Sequence, residues 1–224
     1  MNIWTIMILV MVLSFIVQQM LQSRFNKYSK IPTANGMSGA EVAQKMLQDH
    51  GIYDVKVVPT RGMLTDHFNP QTRTIALSEG VYSSRSVAAA AVAAHECGHA
   101  VQHSLGYAPL RMRSALVPVV NFASGIVQWV LLAGVIFFQS FPGLLWFGIA
   151  LFATTTLFSF ITLPVEINAS SRAVSWLSST GITDSQSRPM AIDALKWAAY
   201  TYVIAAIGSL ATLLYYIGIA RSRD

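Results

Sequence analysis

His95-Glu96-Cys97-Gly98-His99 concentrates the chemistry of this sequence in five residues. Two imidazoles four positions apart on a helix lie on one face, one turn apart, so both rings can bind a single zinc ion. Glu96 then stands beside the metal, where a carboxylate can take a proton from a zinc-activated water. A closed structural zinc site normally has four protein ligands and no use for such a base. The competing reading is a packed helix with incidental histidines, but a charged glutamate in such a helix needs a partner. Catalytic zinc also needs a third protein ligand and an open fourth position. His103 lies eight residues after His95, about 12 Å further along a helix axis, so one continuous helix cannot bring all three rings to one ion. His50 and His67 remain open on sequence alone. Glu166 is the stronger candidate: it is an isolated carboxylate at the point where a long apolar stretch ends.

These residues need elements to hold them. From Ser86 the chain runs through an alanine-rich segment into the motif, which makes the segment a strong helix former. It is too short in apolar residues to cross a bilayer. Upstream, Ser38 with Glu41 three positions on forms a capping box for a helix over Glu41–Asp49. Val55–Val58 and Thr74–Leu77 read as short strands, with a turn at Asn69-Pro70. If the second strand is an exposed edge, an extended peptide can pair with it, and His67 can donate to the developing oxyanion; the equal alternative is an ordinary turn before a hairpin, with Asp66 a local cap. Cys97 falls on a different helix face from the histidines and reads as a buried small residue. Gly98 reads as a site of close packing by another element. Arg172 reads as an interface anchor or the partner of an acid, with a substrate-anchoring role as the alternative.

Composition sets the frame for those elements. Of 224 residues, 54% are hydrophobic and 11% charged, well below the roughly 25% charged of soluble domains. The mean hydropathy of +0.50 agrees. One cysteine, Cys97, cannot form an internal disulfide. Four stretches can span a bilayer: Ile3–Leu21, about Val119–Phe138, Leu144–Leu163 and about Ala198–Ala220. The middle two form a hairpin broken at Gln139–Gly143. The first lacks the basic start and cleavage site of a signal peptide, so it reads as a retained anchor. The net charge of +5 is explained by loop placement and calls for no nucleic acid. Ten of the fifteen Lys and Arg lie between Arg24 and Arg113, and three more lie between spans three and four. Both polar segments therefore belong on the cytoplasmic side.

At this point several separated strings occur together. Leu64-Thr65-Asp66-His67-Phe68-Asn69-Pro70 is followed by Leu77-Ser78 with Val81-Tyr82, then by Ala93–Gln102, and finally by Leu163-Pro164-Val165-Glu166 with Ala169-Ser170. Their order and content resemble the YugP-type neutral zinc metallopeptidases over nearly the whole chain. The resemblance implies a membrane-bound zinc endopeptidase with His95, His99 and Glu166 as ligands and Glu96 as base. In the more distantly similar membrane gluzincins an acidic residue commonly follows the third ligand by four positions. Here that position is Ser170, a weaker orienting partner for a zinc-bound histidine.

The sequence thus predicts a mainly α integral membrane protein with about four transmembrane helices and a small α+β zincin-like domain on the cytoplasmic side. Its expected segments are an anchor (1–23), a first domain half carrying the motif (31–115), a helical hairpin (118–163), a second half with the third ligand (164–197) and a last span (198–220). The expected activity is hydrolysis of membrane or membrane-presented proteins, with one catalytic zinc ion, in a bacterial cell membrane. A non-catalytic zinc-binding scaffold is the alternative from another class. A true intramembrane metalloprotease is disfavoured by the short apolar run Val87–Ala94 and by the absence of aspartate from the later spans.

Overall fold

The computed structural model describes residues 3–223. It is mainly helical, with ten elements in the order α1 (Ile3–Tyr28), α2 (Gly39–Asp49), β1 (Lys56–Thr60), β2 (His67–Asn69), β3 (Thr74–Ser78), α3 (Glu79–Tyr82), α4 (Val87–Ser104), α5 (Ala108–Ile136), α6 (Pro142–Ser179) and α7 (Arg188–Arg223). Among the described residues, α1, α5, α6 and α7 are long and apolar enough to cross a membrane. The chain divides into two compact units.

The first unit comprises Met1–Ile16, Arg111–Pro164 and Thr201–Asp224. Its helices meet where side chains vanish. A Cβ on Gly134 of α5 would stand 2.6 Å from Leu145 Cα of α6, and one on Gly208 of α7 would stand 2.9 Å from Val10 Cγ1 of α1. Glycine at such crossings lets apolar helices approach closely without a hydrophobic drive between them. Val127, Leu131, Leu145 and Ile149 are buried along the α5–α6 contact, whereas Trp4, Phe122, Trp129 and Leu214 face outward. Outward aromatic and aliphatic surface is what a helix surrounded by lipid presents.

The second unit comprises Val17–Leu110 and Val165–Tyr200. Its core is built around α4, whose alanines at positions 88–91, 93 and 94 are fully buried. A helix apolar on every side is stable only when packed on every side, and alanine keeps it slim enough to be so. Ser86 caps it, its side chain accepting from Ala89 N. Around it pack Val42 and Met46 of α2, Ile75 and Leu77 of β3, and Ala173 and Leu177 of α6. The capping box at Ser38 and Glu41 is formed. Tyr28 Oη donates to Asp193 Oδ2 at 2.6 Å, tying the end of α1 to the start of α7.

The conditional expectation of an exposed edge at the second strand is corrected here. The sheet runs β1-β3-β2, with β1 parallel and β2 antiparallel to β3. Thr74–Ser78 is therefore the middle strand of the order, paired on both sides over Thr74–Ala76, while Leu77 and Ser78 pair with β1 alone. The signal for β2 was missed because three residues ending at Asn69-Pro70 read as a turn. Beyond the expected span, α6 runs on through Pro164 to Ser179. An interior proline removes one amide donor and crowds the preceding turn, a defect that helices of membrane proteins accommodate. Residues of α6 up to Pro164 belong to the first unit and those from Val165 to the second.

Candidate metal centre

The two motif histidines project from successive turns in the second half of α4, and Glu166 projects from α6. Contact between these helices depends on Gly98, between the ligands. A Cβ there would stand 2.6 Å from the carbonyl oxygen and 3.0 Å from Cα of Ala169. Both obstacles are backbone, so no side-chain rotation could relieve the overlap. The expectation that Gly98 serves close packing is thereby given its partner.

With the helices in contact, Glu166 Oε2 lies 3.3 Å from His95 Nε2 and 3.5 Å from His99 Nε2. The rings meet edge to face, with centroids 4.8 Å apart. His95, His99 and Glu166 can each offer one ligand atom such that all lie within 4.8 Å of one another. A tetrahedral zinc with bonds of 2.0–2.1 Å holds neighbouring donors about 3.3 Å apart. The two nitrogen–oxygen distances match that spacing, so the donor set suits zinc in both type and size. Glu166 is 3% exposed, a costly position for a carboxylate without cationic partners.

Each ring is held at its other nitrogen. Ser170 Oγ lies 3.0 Å from His95 Nδ1. A hydroxyl thus occupies the place where the resemblance led to an acid, and it can accept from Nδ1–H. His99 Nδ1 lies 3.1 Å from Gln102 Oε1. Gln102 is fully buried, and its Nε2 donates to Val165 O at 2.8 Å and to Asn168 Oδ1 at 3.0 Å. Arg172 Nε donates to that same Asn168 oxygen at 2.8 Å. Arg172 therefore anchors an amide, not an acid. Gln102 and Asn168 escaped the sequence reading. The one available signal was a glutamine three residues after His99 in a helix that is otherwise packed, where a buried amide must find partners.

Glu96 is 8% exposed and makes no hydrogen bond or ion pair to the described residues. Its carboxylate is available to a proton donor entering the site. Burial works against charge on His99, but its hydrogen bond with Glu166 and the fields of Glu96 and Glu166 outweigh that effect and raise its pKa above 6.5. Burial, aided by the charge of Glu96, pushes the Cys97 thiol well above its ordinary pKa. Its Sγ–H donates to Ala43 O at 3.4 Å, so Cys97 fastens α4 to α2.

The remaining candidates lie apart from this cluster. His50 Nδ1 is 2.8 Å from Met46 O at the end of α2. His103 packs edge-on against Phe68. His67 is exposed, with Nδ1 2.8 Å from Thr65 O. It pairs across the sheet with Ala76, while its neighbour Phe68 pairs with Ile75 on the face that carries the core. Alternation along the strand turns His67 away from that face. Asp66 Oδ1 accepts from Ser78 N at 2.7 Å and from Ser78 Oγ at 3.1 Å, fixing the end of β3.

Comparison with known proteins agrees with this chemistry. The family described as "Putative neutral zinc metallopeptidase" matches residues 3–221. A protein of Bacillus subtilis (strain 168) named "Putative membrane protease YugP" is 45% identical over 205 residues, covering 92% of this chain and 90% of that protein. No solved structure matches.

Proposed function

Since the chain belongs to the neutral zinc metallopeptidase family, we propose that it is a membrane-bound zinc endopeptidase in which His95, His99 and Glu166 hold the metal and Glu96 is the general base. The observation that carries this reading is the donor spacing: two Nε2 atoms at 3.3 and 3.5 Å from one buried carboxylate oxygen. Zinc bound there supplies Lewis-acid polarisation of a peptide carbonyl and activation of water. Glu96 takes the proton from the attacking water and delivers it to the nitrogen of the departing amine. Its freedom from protein hydrogen bonds supports that role, since a base already engaged in an ion pair is a weaker acceptor. Ser170 and Gln102 hold the rings so that neither must reorient on binding.

The substrates are proteins of the membrane or presented at its surface, and the site faces the cytoplasm. The distribution of Lys and Arg supports the orientation, and the four apolar helices support the substrate class. The deciding experiment compares purified wild type and Glu96→Gln on an unfolded test protein, with zinc content measured in both. Cleavage by the wild type alone, at equal zinc content, is expected. Equal cleavage by both removes the mechanism. No cleavage by either, with zinc bound, moves the weight to a non-catalytic zinc-binding protein.

A further inference from the structure

We infer that Gln102 is a positioning residue that holds His99 in its Nδ1–H tautomer, and that Asn168 and Arg172 enforce this by fixing which way the Gln102 amide points. The inference rests on the metal-binding part of the proposed function and adds to it the residues that make His99 a competent ligand.

The argument follows the direction of each hydrogen bond. A guanidinium can only donate, so the Asn168 atom 2.8 Å from Arg172 Nε is the carbonyl oxygen. That oxygen also receives the Gln102 amide at 3.0 Å, and the backbone oxygen of Val165 receives the same amide at 2.8 Å. Both partners are acceptors, so the Gln102 atom between them must be the NH2 group. Its oxygen therefore faces His99 Nδ1 at 3.1 Å. An amide oxygen can only accept, so the proton sits on Nδ1 and the lone pair of neutral His99 sits on Nε2. Nε2 is the atom turned toward Glu166. Turning the Gln102 amide over would set its oxygen against the Val165 carbonyl oxygen while Gln102 is fully buried. Ser170 at His95 has no such constraint, because a hydroxyl donates or accepts equally well.

The test uses the full chain, purified, stripped of metal and titrated with zinc against a chromogenic chelator, with thermal unfolding of the metal-free protein recorded alongside. Gln102→Leu removes the acceptor while filling the space. It should weaken zinc binding about 10- to 100-fold. Gln102→Glu keeps an acceptor at Nδ1 but cannot donate to two oxygens when ionised. It should bind zinc within about 3-fold of wild type while unfolding at a lower temperature, as expected for an unpaired buried acceptor. A purely space-filling or helix-bridging role predicts the reverse order, with Leu the better tolerated in both measurements. Wild-type zinc affinity in Gln102→Leu, or a greater loss in a folded Gln102→Glu, overturns the inference while leaving the metal site intact. If both buried substitutions unfold, Arg172→Met at the half-buried end decides: a loss of 3-fold or more supports the chain, and unchanged affinity overturns it. Failure of the wild type itself to bind zinc defeats the underlying function and the inference with it.

Discussion

At the scale of single residues, the site is governed by what each ring nitrogen is required to do. The raised pKa of His99 means that its proton persists to higher pH than on an ordinary histidine, and zinc must displace it to bind. Apparent zinc affinity should therefore fall as pH drops through the neutral range, beginning above 6.5, when measured by chelator competition at several pH values. A pH-independent affinity between 6 and 8 contradicts this. Ser170 offers a second handle, because its hydroxyl is a weak orienter for His95. Ser170→Asp should tighten zinc binding and Ser170→Ala should loosen it several-fold, read by the same titration. The grouping of His95, His99 and Glu166 was legible in the sequence because metal ligation would impose residue type and spacing. Gln102 and Asn168 were not, because an amide's role depends on which neighbours the fold supplies. His67 is a different case: its string is suggestive, and the structure gives its exposure and register without deciding its role.

At the scale of elements, helix-to-helix distance decides whether ligands meet. Gly98→Ala must move α4 or α6 backbone by several tenths of an ångström, since its Cβ meets the Ala169 carbonyl at 2.6 Å. Overpacking of this kind costs about 1–3 kcal/mol. The variant should lose zinc affinity out of proportion to its fall in thermal stability, which paired titration and melting curves resolve. By contrast, Ser86→Ala removes the cap of α4 and the hydrogen bond that Ser86 accepts from Ser84 Oγ, and it should cost about 1 kcal/mol or somewhat more with zinc affinity nearly unchanged. The capping box and the β1 and β3 strands were readable because their signals are local. The inner position of β3 was not, since strand order is set by contacts between segments. Nor was the continuity of α6, where Pro164 carries the sequence signature of a break and yet the helix persists.

At the scale of the whole molecule, charge and thiol content allow the orientation to be tested directly. Cys97 is the only cysteine, fully buried, with its thiol held protonated by burial. The native chain should therefore resist a water-soluble maleimide until unfolded. Against that silent background, a cysteine placed at the exposed Met63 should label from the cytoplasmic side, and one at Ser140 in the hairpin tip from the opposite side. Labelling of both from one side removes the proposed topology. Four apolar stretches were evident from hydropathy alone, because lipid tolerates few charges. The ends of their helices were not, since a helix can continue past the apolar stretch as long as its backbone bonds are satisfied.

The route of the chain also sets when the site can exist. Glu166 is made 67 residues after His99, with α5 and most of α6 between them. At about 5–20 residues per second, translation needs roughly 3–13 s to supply the third ligand after the second. Until then a nascent chain holds His95, Glu96 and His99 without the carboxylate of Glu166 beside them. The candidate metal centre is thus incomplete early in synthesis, and Glu166 can join it only after the hairpin segment has been made.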